Sequence, residues 1–144
     1  MVERHKVGVA SYLVLVKNGR VLMMQRAGSG FMDGHYGLPA GHVDPGETFT
    51  TTIIREVKEE VDIDIDVGDL DVVHVQQRRS PDREYVDVYY TARKWKGTPK
   101  IMESHKCTDM SWFDLENLPE KAIPYIVNVL NQIKNGQPYS EWGF

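Results

Sequence analysis

A single cysteine, Cys107, stands among the 144 residues, so no disulfide can form within the chain and nothing points to an oxidising compartment. Cys107 itself reads as a small buried hydrophobe. Long apolar runs are also missing. The most apolar stretch, Val7 to Val16, is interrupted by Ser11 and closed by Lys17-Asn18-Gly19, far short of the ~20 residues a membrane-spanning helix needs. The opening Met-Val-Glu-Arg-His-Lys leads into that β-like run without a small-residue cleavage site, which argues against a secretory signal and for a cytoplasmic location. Basic charge is not in excess either: 17 Lys and Arg face 21 Asp and Glu, a net charge of -4. That balance weighs against non-specific binding of a nucleic-acid polymer, which requires clustered cations to replace counterions. An acidic chain still binds phosphates if a carboxylate cluster holds a metal ion. Repeats, low-complexity tracts and Pro/Gly/Ser linkers are lacking, so residues 1–144 are expected to form one domain. The 41% hydrophobic and 26% charged residues suit a soluble globular protein.

The residues that are present alternate between short β-rich and helical patterns. Val7 to Val16 and Val21 to Gln25 flank Lys17-Asn18-Gly19-Arg20, where Asn-Gly predicts a first hairpin. Gly28 to Gly46 is rich in glycine and reads as an ordered loop around one short strand near Tyr36 to Ala40. Loops of that length in compact domains are usually functional. Thr48 to Val61 has helical periodicity, with Ile53, Ile54, Val57 and Val61 on one side and Thr48 as N-cap. Ile63 to Val67, Leu70 to Gln77 and Tyr85 to Trp95 are β-rich, the last two joined by a polar loop from Arg78 to Glu84, and Asp109 to Asp114 adds a short strand. Ile123, Ile126, Val127, Leu130 and Ile133 then recur at helical spacing up to Asn135-Gly136. The order predicts an α+β or mixed α/β sandwich, a mixed sheet between helices. The aromatic tail Tyr139 to Phe144 is expected to pack on the body or on a partner subunit, in a monomer or homodimer.

Chemistry concentrates on the central helix. Glu56, Glu59 and Glu60 stand at i, i+3 and i+4, so their carboxylates share one face. Each like-charge pair there costs roughly 0.2 to 0.5 kcal/mol unless a cation is bound. Hard oxygen ligands so clustered suit Mg²⁺, or Mn²⁺, which keep places for water and substrate phosphate. On those residues alone a solvated acidic helix face explains the pattern as well.

Gly41 to Ile63, GHVDPGETFTTTIIREVKEEVDI, closely resembles the Nudix box, with Gly41, Glu47, Arg55, Glu56, Val57, Glu59, Glu60 and Ile63 in their places. One position departs: the box has Gly where this chain has Asp62, at the helix end, where a left-handed backbone is usual and Asp tolerates it at modest cost. The resemblance extends back to Arg26, through an aromatic-x-Leu-Pro pattern in which Tyr36 takes the aromatic place and Ala40 a glycine's place.

The resemblance implies a Nudix-type α/β/α sandwich and a metal-dependent pyrophosphohydrolase. Its substrate would be a nucleoside diphosphate linked to a further group, with a nucleoside triphosphate giving monophosphate and pyrophosphate as the preferred case. ADP-ribose or another nucleotide sugar is the alternative, and a non-catalytic nucleotide-sensing module is an alternative of another kind. It implies that Glu56, Glu59, Glu60 and the Gly41 carbonyl hold the metal and that Glu47 and Arg55 support the loop on the helix. An Arg55–Glu59 ion pair at i+4 is the plain structural alternative. The resemblance implies a general base that is either a carboxylate of the box or a later-loop Glu, for which Glu103 is the candidate, with His105 the alternative on the ground of histidine's pKa. Arg26, Arg78, Arg79 or Arg83 could grip phosphate, the last three reading rather as an exposed basic loop. Phe31, Tyr36 and Trp112 would stack on a base or belong to the core.

Overall fold

In the computed structural model, which describes residues 2–144, the elements in chain order are β1 (Gly8–Leu13), β2 (Val16–Lys17), β3 (Arg20–Arg26), β4 (Tyr36–Gly37), β5 (Ala40–His42), α1 (Phe49–Val61), β6 (Leu70–Arg79), β7 (Glu84–Ala92), β8 (Cys107–Asp114), α2 (Pro124–Lys134) and β9 (Tyr139–Trp142). They form two sheets. One runs β5-β1-β7-β6-β9 and is mixed, with β1 parallel to β7 and β6 parallel to β9. In the other, β3 pairs antiparallel with β2, β4 and β8.

The expected hairpin is present in part. Asn18 and Gly19 adopt φ of 53° and 74°, as the turn requires, but only Val16–Lys17 pairs across it. The Val7 to Val16 run divides between the sheets instead: Leu13 and Val14 N–H donate to Pro39 and Tyr90 carbonyls, whereas the Leu15 carbonyl accepts from Leu22. The apolar, buried Leu13-Val14-Leu15 lets the chain cross between sheets without exposing either face.

Strand alternation distributes the core over two layers. Tyr12, Val14, Val21, Met23 and Tyr89 face α2 and its Ile126, Val129 and Leu130. Leu13, Leu15, Leu22, Met24, Val88 and Tyr90 face α1 and its Ile53, Val57 and Val61. Because neighbours along β1, β3 and β7 point to opposite sides, both faces are covered and a helix lies on each, the α/β/α arrangement expected. Burying the three α1 side chains contributes about 1.5–3 kcal/mol each.

The ends of α1 are set locally. The Thr48 hydroxyl accepts from the Thr51 N–H at 3.1 Å. Asp62 terminates the helix at φ 58°, ψ 42°, the left-handed geometry for which glycine is favoured. Lys58 and Lys100 reach the Asp62 carboxylate at 3.0 and 3.4 Å.

Two expectations are corrected. Ile63 to Val67 is not a strand, since only Asp64 bridges to Lys96 before a 3-10 turn at Val67–Asp69. Arg78 and Arg79 end β6 rather than open a loop, because that strand pairs with β7 as far as Arg79–Glu84. The tail packs on the body as β9, alongside Val75 to Arg78. No helix of the described residues is long and apolar enough to cross a membrane.

Candidate active site

One face of α1, the β5 backbone and the segment before β8 meet around a cavity of about 710 Å³ whose walls include Gly41, Glu56, Glu60 and Glu103. Glu60 is partly buried there and accepts the Ala40 N–H at 3.2 Å. Burial first, and then the charges of Glu56 and Glu103, push its carboxyl up to about 8. Burial also raises Glu56, against the opposing hydrogen bond from Arg55. Glycine at 41 leaves room for Glu56: a Cβ on it would stand 2.3 Å from Cγ and Cδ of Glu56 and displace that side chain. Backbone and carboxylate therefore approach more closely than any side chain permits.

Arg55 ties the loop to the helix. Its Nε and Nη2 donate to the two Glu47 carboxylate oxygens at 2.9 and 3.0 Å, and Nη1 donates to Glu56 at 2.8 Å. Glu59 is 3.5 Å away and half exposed, so the i+4 pair is the loosest of these contacts. Arg55, and next the Thr52 hydroxyl at 2.6 Å, hold Glu47 down at about 2. Arg55 in turn is raised further above its usual range by those bonds to Glu47. Glu56 and Glu60 thus converge beneath Gly41, while Glu59 stands at the rim. Among the described residues no three carboxylate or imidazole side chains form a ready-made cage.

The fit to a hard dication rests on this imbalance. Carboxylates crowd one cavity wall with Arg55 already committed to Glu47, so one of them holds a proton that a bound cation would displace. Glu103 lines the same cavity and pairs with Lys106 at 3.4 Å. His105 is exposed and does not line it.

The remaining expected residues scatter. Arg26 lines the cavity, but its guanidinium is fastened to the Phe31 carbonyl at 2.9 Å and to Ser29, 5.4 Å from the centre of the Phe31 ring. Phe31 is 43% exposed at the mouth of the cavity. Tyr36 and Trp112 do not line it. Tyr36 donates to Asp109 at 2.6 Å, which pushes its phenol up to about 12, and packs on Phe113, so it is a framework residue. Trp112 packs on the α1-side core. Arg79 and Arg83 are exposed.

Arg78 differs from its neighbours. It is 5% exposed, bonded to Asp87 at 2.6 and 3.3 Å, and lies with its guanidinium carbon 4.3 Å from the ring centres of both Tyr85 and Tyr125. Sequence reasoning missed Asp87, Tyr85 and Tyr125. The signal for the first was there, since an acid between Val86 and Val88 in a buried strand requires a partner.

The chain matches the NUDIX domain family over residues 4–132. It belongs to that family. Its relatives include an ADP-ribose pyrophosphatase of Methanocaldococcus jannaschii, 29% identical over 85% of this chain and 72% of that protein. The NAD-capped RNA hydrolase NudC of Stutzerimonas stutzeri is 31% identical over 79% of this chain but only 38% of its own length. Among solved structures, a MutT NUDIX hydrolase from Burkholderia pseudomallei superposes with a TM-score of 0.81 at 25% identity, covering 89% of this chain and 98% of that one. The chain is thus a Nudix hydrolase, with the α/β/α sandwich of that family.

Proposed function

We propose that this Nudix chain is a divalent-metal-dependent pyrophosphohydrolase that converts a nucleoside triphosphate to the monophosphate and pyrophosphate. The observation that carries the reading is the convergence of Glu56 and Glu60 on the bare backbone of Gly41, inside a cavity walled also by Glu103. Glu56, Glu59, Glu60 and the Gly41 carbonyl would hold Mg²⁺ or Mn²⁺. Such an ion neutralises the charge that builds on phosphate oxygens and acidifies the attacking water. Glu47 and Arg55 keep the loop that carries Gly41 at a set distance from α1, so the carboxylates are pre-oriented before substrate arrives. Glu103, on the wall of the same cavity, takes the proton from the water as it attacks an internal phosphorus. Arg26 braces the loop through Phe31, at the mouth where the substrate enters.

A second reading is cleavage of ADP-ribose to AMP and ribose phosphate, favoured by the relative of that name. Incubation with Mg²⁺, the four ribonucleoside triphosphates and ADP-ribose in ¹⁸O-labelled water tests both. The proposal expects pyrophosphate and monophosphate with label in one of them. Orthophosphate as the first product refutes the mechanism, and inert triphosphates with rapid ADP-ribose cleavage select the second reading. No turnover of any nucleotide would leave the non-catalytic sensor as the answer.

A further inference from the structure

We infer that the Arg78–Asp87 pair, carried by β6 and β7 while the Glu56 and Glu60 carboxylates are carried by α1, is a base-reading site that takes a planar ring with two adjacent hydrogen-bond acceptors. The inference rests on the nucleotide reading above and adds the class of base. Both faces of the Arg78 guanidinium are covered, by the rings of Tyr85 and Tyr125. Its side edge is filled, since Nε and Nη2 both donate to Asp87. Among the described residues Nη1 has no hydrogen-bond partner, although Arg78 is 5% exposed and lines the cavity. The end edge, formed by Nη1 and the second hydrogen of Nη2, is therefore a fork of two parallel donors turned to empty space.

The surroundings fix this fork in place. The Tyr85 ring packs against the bare backbone of Gly8, where a Cβ would stand 2.8 Å from it. The Tyr125 hydroxyl is bonded to that of Tyr12 at 3.1 Å. Across the sheet His42, Ala10 and Asp87 lie in register, with Ala10 the small residue between two larger ones. This leaves a trough from Gly41 toward β6, three strand spacings or about 14 Å wide.

Charge decides what the fork accepts. Asp87 already balances Arg78, and Asp82 adds another carboxylate to the cavity wall, so a phosphate at the fork would meet a neutral pair in a cavity that already carries further negative charge. A neutral pair of acceptors meets no such opposition. Guanine offers O6 and N7 to an arginine fork, and cytosine offers O2 and N3. Adenine places an amino donor beside N7 and leaves one of the two donors opposed.

Binding by calorimetry tests the site apart from the reaction, using GMP, CMP, AMP, 7-deaza-GMP and inorganic pyrophosphate with the parent and with Arg78→Lys, which keeps the charge and loses the fork. The expected result is GMP bound at least ~5-fold more tightly than AMP and 7-deaza-GMP, the lower end for a bidentate pair, with the preference levelled in Arg78→Lys. Tight CMP with weak GMP would also support the site and assign it to the cytosine edge. Equal binding of all four nucleotides by the parent overturns the inference, and that comparison does not depend on whether the variant folds. A drop in pyrophosphate binding in Arg78→Lys with the base ranking unchanged overturns it in favour of an anion site. Product analysis fails or succeeds separately, since it reads the bond cleaved and not the base.

Discussion

Replacing Glu60 by Gln is expected to stabilise the metal-free protein at alkaline pH while abolishing most turnover. The carboxyl is held up at about 8 against an ordinary 4.5. An acid raised in the folded state binds its proton there after the unfolded chain has released it, so folding loses stability as pH rises from about 4.5 to about 8. A difference of about 3.5 at ~1.4 kcal/mol each sets a ceiling near 5 kcal/mol. Glu60 retains some contact with solvent, which lowers the expected effect to roughly 2 kcal/mol at pH 8. Gln keeps the oxygen that accepts the Ala40 N–H and removes the charge that Glu56 and Glu103 oppose. At about 3 °C per kcal/mol for a domain of this size, the variant should melt about 6 °C above the parent at pH 8 in EDTA. Below pH 4.5 the two should coincide. Saturating Mg²⁺ should reverse the order, since a ligand at 100-fold its Kd adds about 2.7 kcal/mol to the parent. Thermal melts followed by circular dichroism across pH 4 to 9 make the comparison. A variant that melts at or below the parent at pH 8 without metal would refute the assignment of a crowded, cation-seeking carboxylate.

Other perturbations have equally definite outcomes. Gly41→Ala places a methyl where Glu56 lies and should lower kcat at least ~10-fold, the scale of a displaced reacting group; unchanged steady-state kinetics would remove Gly41 from the site. Glu103→Gln should lower kcat by ~10² to 10⁴ with little change in KM, and a loss confined to KM would reassign Glu103 to binding. Glu47 is held at about 2, so its contribution is fully present above the unfolded value near 4.5 and is lost as pH falls toward 2. Glu47→Gln should therefore be the less stable protein at neutral pH, with the gap to the parent closing in acid denaturation below pH 4. Asp62→Gly relieves a left-handed backbone but gives up contacts with Lys58 and Lys100. Since αL strain and exposed ion pairs are both worth about 1 kcal/mol, its melting point should stay within about 3 °C of the parent.

The amino-acid pattern alone determined what depends on neighbours along the chain. The span of α1 and its Thr48 cap follow from a 3.6-residue period and one hydroxyl, and the carboxylates of Glu56 and Glu60 share a face because any helix would put them there. The Asn18-Gly19 turn was legible for the same reason, as was the layering of a sheet between helices implied by alternating β-rich and helical segments, while the left-handed turn at Asp62 was legible from the glycine that the Nudix box has at that place. Tertiary structure decided whatever required two distant segments to meet. The Val7 to Val16 run divides between two sheets because its backbone partners, near Pro39, Leu22 and Tyr90, come from three places in the chain. Tyr36 reads in the sequence as an aromatic that could meet substrate, yet it lies outside the cavity, with its hydroxyl claimed by Asp109 across the second sheet. Arg78 looked like one of several loop arginines, and local sequence does not distinguish it from Arg79. Strand alternation sends Arg79 outward and Arg78 inward, and only the pairing of β6 with β7 and the arrival of α2 bring Asp87, Tyr85 and Tyr125 around it. A buried charge needs partners from every side, and those partners lie up to 47 residues away in the chain (Arg78 to Tyr125).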